Sequence, residues 1–203
     1  MVELEKRLKE YRDLLSGICC PERKVNIQTL EKVVRLAMEI AREGREGKKI
    51  GTIFVVSDSD ETLRHSSPLI LDPLYGHSND KKDIDDPNLR ETIKELSLLD
   101  GAFIVSDKGV FISACRYINA SSVGITLPLG LGARHMAAAS ITKHTNAVAV
   151  VVSESSMVRV FDNGEIIGEI IPELWMLRHY TSHVTQGYEE HTDDEVAVIS
   201  KSR

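Results

Sequence analysis

Only three residues of 203 are cysteine, and two of them, Cys19 and Cys20, are neighbours. An odd count without a secretory leader excludes a disulfide framework and points to a reducing, cytoplasmic setting. No Cys-x-x-Cys pair occurs, so nothing suggests a thiolate zinc site. Long apolar runs are missing too. The longest strongly apolar one, Ala147 to Val152, is far short of the ~18–20 residues that cross a bilayer. The start, Met1 to Glu10, is charged throughout and holds no apolar core, so no signal peptide is read there. Positive charge is in deficit: Lys plus Arg is 25 against 31 for Asp plus Glu, a net charge of −6. Broad polyanion binding needs a positive field, so neither nucleic acid nor a membrane surface is expected as a partner. A local basic pocket for a small anion is compatible with that balance. The common phosphate-loop patterns are absent as well. There is no G-x-x-x-x-G-K-[ST], and G-x-G-x-x-G loses its third glycine to His135.

What is present is ordinary for a globular domain, with 42% apolar and 28% charged residues. The length fits one domain with its own core. Leu4, Leu8, Tyr11, Leu15 and Ile18 share a helical stripe, which predicts a helix over 3–18. Leu30, Val34 and Met38 with Val33, Ala37 and Ala41 predict a second helix, capped by Asn26 and ended by Gly44. Ile50 to Ser57 reads as a strand, and Ser57 to Asp86 as irregular structure or a short helix. Asp86-Pro87 starts a helix that runs to about Leu98. Ala102–Ser106 and Val110–Cys115 form a hairpin, Arg134–His144 a helix, and Ala147–Ser153 a strand buried on both faces. Met157–Phe161 and Glu165–Ile170 flank Asn163-Gly164, a hairpin turn. Pro172–His183 reads as a last helix and Thr185–Arg203 as a frayed polar tail. The expected fold class is α/β, a single domain with a central mixed β-sheet flanked by helices. Its parts are an N-terminal helical extension (1–24), the main domain (25–170), and a C-terminal helix with a polar tail (171–203).

Three segments can carry chemistry. Gly130-Leu131-Gly132-Ala133-Arg134-His135 leads glycines into a helix, whose first amides and dipole favour an anion. Arg134 adds a guanidinium that matches phosphate geometry. Asp100-Gly101-Ala102 puts an acid at the mouth of a strand, where it can hold Mg²⁺ or Mn²⁺ or accept a hydroxyl proton. Ser153-Glu154 ends the buried strand, a place where open sheets bind ligands. Taken singly, each reads first as ordinary local structure: a helix start, a turn and a strand end. His179 and His183 sit at i, i+4 but lack the zincin glutamate, so they read as surface histidines. Leu174 and Trp175 read as packing residues, and Cys115 as buried and inert.

Together the three segments resemble the motif series of the diadenylate cyclase (DisA-type) domain family, in its archaeal branch. The Asp-Gly-Ala motif falls on Asp100, Gly101 and Ala102, and Gly-Thr-Arg-His on Gly132, Ala133, Arg134 and His135. The Ser-Glu pair falls on Ser153 and Glu154, and Tyr117-Ile118 resembles the pair that lies against adenine. Alanine replaces the family threonine at 133, and Lys143 and Asn146 stand where bacterial members often carry acids. The resemblance covers about residues 25–170. It implies condensation of two ATP into cyclic di-AMP with release of two pyrophosphates. It implies Asp100 as the ligand of a divalent cation (Mn²⁺ or Mg²⁺) and activator of the hydroxyl. Gly132, Ala133, Arg134 and His135 would hold phosphates, with Ser153 and Glu154 beside them and Tyr117 and Ile118 over the base. One chain would bind one ATP, so a homodimer is expected. The other readings are an ATP-sensing module that has lost turnover, to which Ala133 lends support, and an unrelated metal-dependent hydrolase using Asp100 and His135.

Overall fold

The computed structural model of the protein describes residues 15–19, 21, 24–172, 188–192 and 197–201. Helix α1 spans Ile27–Glu43. The Asn26 side chain accepts a hydrogen bond from the Thr29 amide at 3.1 Å, and Gly44 closes the helix at φ 61°. Strand β1 (Thr52–Val56), the short helix α2 (Ser59–Arg64) and β2 (Ser66–Pro68) follow. After a 3₁₀ turn at Asn79–Lys82, α3 spans Pro87–Leu96. Its Asp86 cap accepts from the Asn88 amide at 2.9 Å, with Pro87 in the first turn. Then come β3 (Ala102–Val105), β4 (Phe111–Ile118), α4 (Ala133–His144), β5 (Val148–Val152), β6 (Val158–Asp162) and β7 (Glu165–Ile171). Strands β8 (Tyr188–Thr192) and β9 (Ala197–Lys201) complete the sheet.

Among the described residues the sheet has nine strands, in the order β2-β4-β3-β1-β5-β6-β7-β9-β8. Only β1 and β3 run parallel among the described residues, and every other neighbour pair is antiparallel. The sheet is therefore mixed, with helices on it, as the sequence suggests. One expectation is corrected. The frayed tail over 185–203 contains β8 and β9, which extend the sheet by pairing β9 with β7. Strand β8, at the end of the sheet, is polar, and β9 offers only a short apolar run, Ala197 to Ile199. Val198 and Ile199, both buried, are its main apolar signal. The helices expected over 3–18 and 172–183 lie mostly outside the described residues, and Leu174, Trp175, His179 and His183 lie outside them.

Period-2 alternation sorts the core onto two faces. From β1, Phe54 and Val56 join the cluster under α1, whereas Ile53 and Val55 join the cluster under α4. From β5, Val148, Val150 and Val152 take the α1 face, and Ala149 and Val151 the α4 face. Small Ala149 meets the alanine-rich side of α4, where Ala138 and Ala139 are fully buried. Both central strands are thus apolar on both sides, which explains their unbroken runs. Under α1, Phe103 stacks on Phe54 at 5.1 Å between ring centroids and meets Phe111 edge-on at 6.0 Å.

Phe103→Ala removes the centre of this aromatic trio and should cost about 3–5 kcal/mol. Urea unfolding checks this: a loss below ~1 kcal/mol would mean that the trio does not hold the layers together.

Candidate active site

Strand register sets up the site. Ala102 of β3 pairs with Arg116 of β4 and Ile53 of β1 with Ala102. Thr52 of β1 pairs with Val152 of β5, and Val152 with Val158 of β6. The start of β3, the start of β1 and the end of β5 therefore lie side by side along one edge. The residues just beyond them are Asp100-Gly101, Gly51 and Ser153-Glu154. Neighbouring strands are ~4.8 Å apart, so Asp100 and Glu154, on either side of β1, are separated by about two strand spacings.

Arg134 fills that interval. Its Nη2 donates to Asp100 Oδ1 at 3.1 Å and its Nη1 to Glu154 Oε1 at 3.0 Å. One guanidinium thus holds two carboxylates 34 and 20 residues away in sequence. Both acids are mostly exposed, and the arginine is about a third exposed. Water screens such pairs, so each contributes little to stability and can be exchanged.

Around this fork lies an open cleft of about 560 Å³, and all eleven residues of the motif series line it. Gly132 caps α4 without a side chain, and the space where a Cβ would stand is open. The first amides of α4, those of Ala133 and Arg134, have no partner within a helix and belong to its positive end. Tyr117 is half-exposed on the rim, while the neighbouring Ile118 is buried in the wall. Ser153 shares a hydrogen bond with the Ser155 hydroxyl at 2.9 Å. Asp100 and Glu154 supply hard oxygen ligands of the kind Mg²⁺ and Mn²⁺ take, and two carboxylates suffice when substrate phosphates complete the shell. Among the described residues no group of three acids, histidines or cysteines gathers at one point, so the donor set fits a cation shared with a ligand.

His135 differs from the others. It is only 7% exposed, and its Nε2 lies 3.2 Å from Arg159 Nη1. A guanidinium cannot accept, so Nε2 is the acceptor and the ring proton is on Nδ1. Arg159 in turn donates from Nε to Glu169 Oε1 at 2.6 Å, and both side chains are buried. Arg159 and Glu169 face each other across β6 and β7. The sequence reading missed this pair. Its signal was there: a charged residue inside each apolar arm of the Asn163-Gly164 hairpin, Arg159 in one and Glu169 in the other.

Gly101 is held by backbone. Its φ is 110°, and a Cβ there would stand 2.7 Å from the Cys115 carbonyl carbon and 2.8 Å from the Arg116 nitrogen. That close approach comes from a bulge in β4, where the β3–β4 register shifts and Cys115 adopts φ 54°. Asp72 pins the facing loop, accepting from Ser113 Oγ at 2.7 Å, Leu74 N at 2.9 Å and Ala114 N at 3.2 Å. Burial, and then the Asp72 charge, push the Cys115 thiol above its ordinary range, in keeping with an inert cysteine. Arg116 also lines the cleft, but it is tied to Ser66 and to the Leu63 carbonyl.

Sheet, cleft and fork are those of an α/β domain that opens a charged pocket at the mouths of its central strands. Residues 39–166 match the family described as DisA bacterial checkpoint controller nucleotide-binding, and the chain belongs to this DAC family. It is 51% identical to a diadenylate cyclase of Methanocaldococcus jannaschii over 146 residues, 71% of this chain and 46% of that protein. It is 41% identical to a diadenylate cyclase of Haloferax volcanii over 147 residues, 72% of this chain and 54% of that protein. The chain thus spans about half the length of the curated relatives it matches. A solved structure, the hypothetical membrane spanning protein from Bacillus cereus, superposes with a TM-score of 0.50 at 17% identity, covering 81% of this chain and 88% of that one. That likeness is one of fold. Among the described residues of the present chain, no helix is long and apolar enough to cross a membrane.

Gly101→Ala places a side chain both in a left-handed backbone and against the β4 backbone. It should destabilise the protein by about 1–3 kcal/mol. Thermal unfolding checks this, and an unchanged midpoint would mean that the β3–β4 junction is not rigid.

Proposed function

We propose that the protein is a diadenylate cyclase, condensing two ATP into cyclic di-AMP with release of two pyrophosphates. The observation that carries this reading is the Arg134 fork, which brings all three motif segments to one cleft. The 41–51% identical relatives carry the same activity in their names.

In the reaction, the 3′-oxygen of one ATP forms a bond to the α-phosphorus of the other. The bond from that phosphorus to the pyrophosphate oxygen breaks, and the hydroxyl proton leaves. Arg134, with the amides of Gly132 and Ala133, holds the phosphates and stabilises their growing charge. Asp100 lies at the edge of the same cleft, as a carboxylate able to take the hydroxyl proton or to bind a cation. Glu154 is the second oxygen donor, with Ser153 beside it. A bound Mg²⁺ or Mn²⁺ supplies charge neutralisation at the phosphates. Tyr117 and Ile118 offer an aromatic edge and an apolar wall for the base. His135, tied to Arg159, fixes the first turn of α4 beneath the phosphates.

One cleft accommodates one nucleotide, so two chains meet face to face in the working unit. Leu69 and Tyr117 on the cleft, and Leu129 next to Gly130, are exposed apolar side chains at its mouth, suited to such a contact.

The test is incubation with ATP and Mn²⁺ or Mg²⁺, followed by chromatography. Cyclic di-AMP is the expected product. ATP binding without product would identify a sensing module, and AMP or ADP alone a hydrolase. Asp100→Asn should keep ATP binding and lose cyclisation by about 10²-fold or more; full activity would sink the assignment. Arg134→Ala should weaken ATP binding roughly ten- to a hundredfold, as expected for lost charged hydrogen bonds. Unchanged affinity in calorimetry would mean that the phosphates bind elsewhere.

A further inference from the structure

Gly51 stands immediately before β1, the strand between Asp100 and Glu154. A Cβ built there would lie 2.8 Å from Arg134 Nη1, 3.1 Å from Arg134 Cζ and 3.3 Å from Glu154 Cγ. No backbone atom is among these neighbours. Gly51 also has no left-handed φ, in contrast to Gly101. Its backbone conformation is open to any residue. What the site uses is the missing side chain.

From this we infer that Gly51 is a positioning residue for Arg134, the bare floor on which the guanidinium lies as it reaches from Asp100 to Glu154. The geometry leaves little choice. The guanidinium must cross the mouth of β1 to hold acids on both neighbouring strands, and Gly51 occupies that mouth. A methyl group at 51 lifts the fork off the floor and parts Arg134 from Glu154. The phosphate-binding group then starts from the wrong place, although it keeps its charge. Nothing in the core is touched, because the atoms displaced are the ends of two flexible, partly exposed side chains.

The inference rests on Arg134 being the phosphate-binding group of the proposed reaction, and a double-mutant cycle separates it from a purely structural role. Affinity for ATP is measured by calorimetry in four proteins: wild type, Gly51→Ala, Arg134→Ala and the double variant. Gly51→Ala should weaken binding about tenfold, the loss of roughly one charged hydrogen bond. In the Arg134→Ala background the same change should cost nothing further, since nothing remains for the methyl to displace. An equal loss in both backgrounds, or a fall in the unfolding midpoint of Gly51→Ala by more than a few degrees, would overturn the inference. A second measurement needs no nucleotide. The ¹⁵N resonance of Arg134 Nε, identified by its absence from Arg134→Ala, should shift in ligand-free Gly51→Ala. If no variant binds ATP, the proposed reaction fails while this shift still decides the role of Gly51. If ATP binds equally well to wild type and Gly51→Ala and the resonance does not move, the inference fails and the reaction stands.

Discussion

Strand β1 has two unlike neighbours, and the site depends on that. It runs parallel to β3 and antiparallel to β5. Its start therefore lies beside the start of one strand and the end of the other. A wholly parallel sheet would have put Glu154 at the far edge from Asp100. The mixed pairing collects a turn before β3, a turn after β5 and the mouth of β1 on one rim. The β4 bulge brings Arg116 and Tyr117 to the same rim. Burial of β1 and β5 on both faces locks the register, because a one-residue slip would exchange the two core faces.

Two arginines serve this region under opposite physics. Arg134 is partly exposed and its ion pairs are solvated, so each is worth about 0–1 kcal/mol and can open for an incoming anion. Arg159 is buried between His135 and Glu169. Losing one partner from such a buried pair typically costs ~3–5 kcal/mol, so it stays in place. The fixed cation holds the first turn of α4 through His135, and the exchangeable one projects from that turn. With a net charge of −6 the bulk field repels anions. Attraction has to be local, and the fork's single positive charge, shared between two acids, offsets only part of their charge until a cation adds to it.

Much of this was legible in the sequence, for identifiable reasons. The runs Thr52–Val56 and Val148–Val152 are β-branched and unbroken because both faces are covered. Asn26, Asp86 and the Asn163-Gly164 turn act through local chemistry and so read directly. The motif residues are found because they keep their order and spacing, and the cleft gathers all of them. Strand β8 was hidden by its polar composition and β9 by the shortness of its apolar run. Gly51 was hidden for another reason. It matters only through Arg134, distant in sequence, and no local pattern reports a missing side chain.

The order of pairing along the chain has a kinetic side. Thr52 finds its partner in Val152, about a hundred residues later, whereas most other pairs in the sheet are hairpin neighbours. Loop closure over that span is slow compared with hairpin formation. Until β5 arrives, β1 offers an open, apolar edge of five residues that can dock on another unfinished chain. During synthesis the binding rim stays incomplete until residue 154 has emerged, because Ser153 and Glu154 are its last members. The same long-range pairing that gathers the site thus leaves the centre of the sheet unsecured for about a hundred residues of chain and exposed to misassembly.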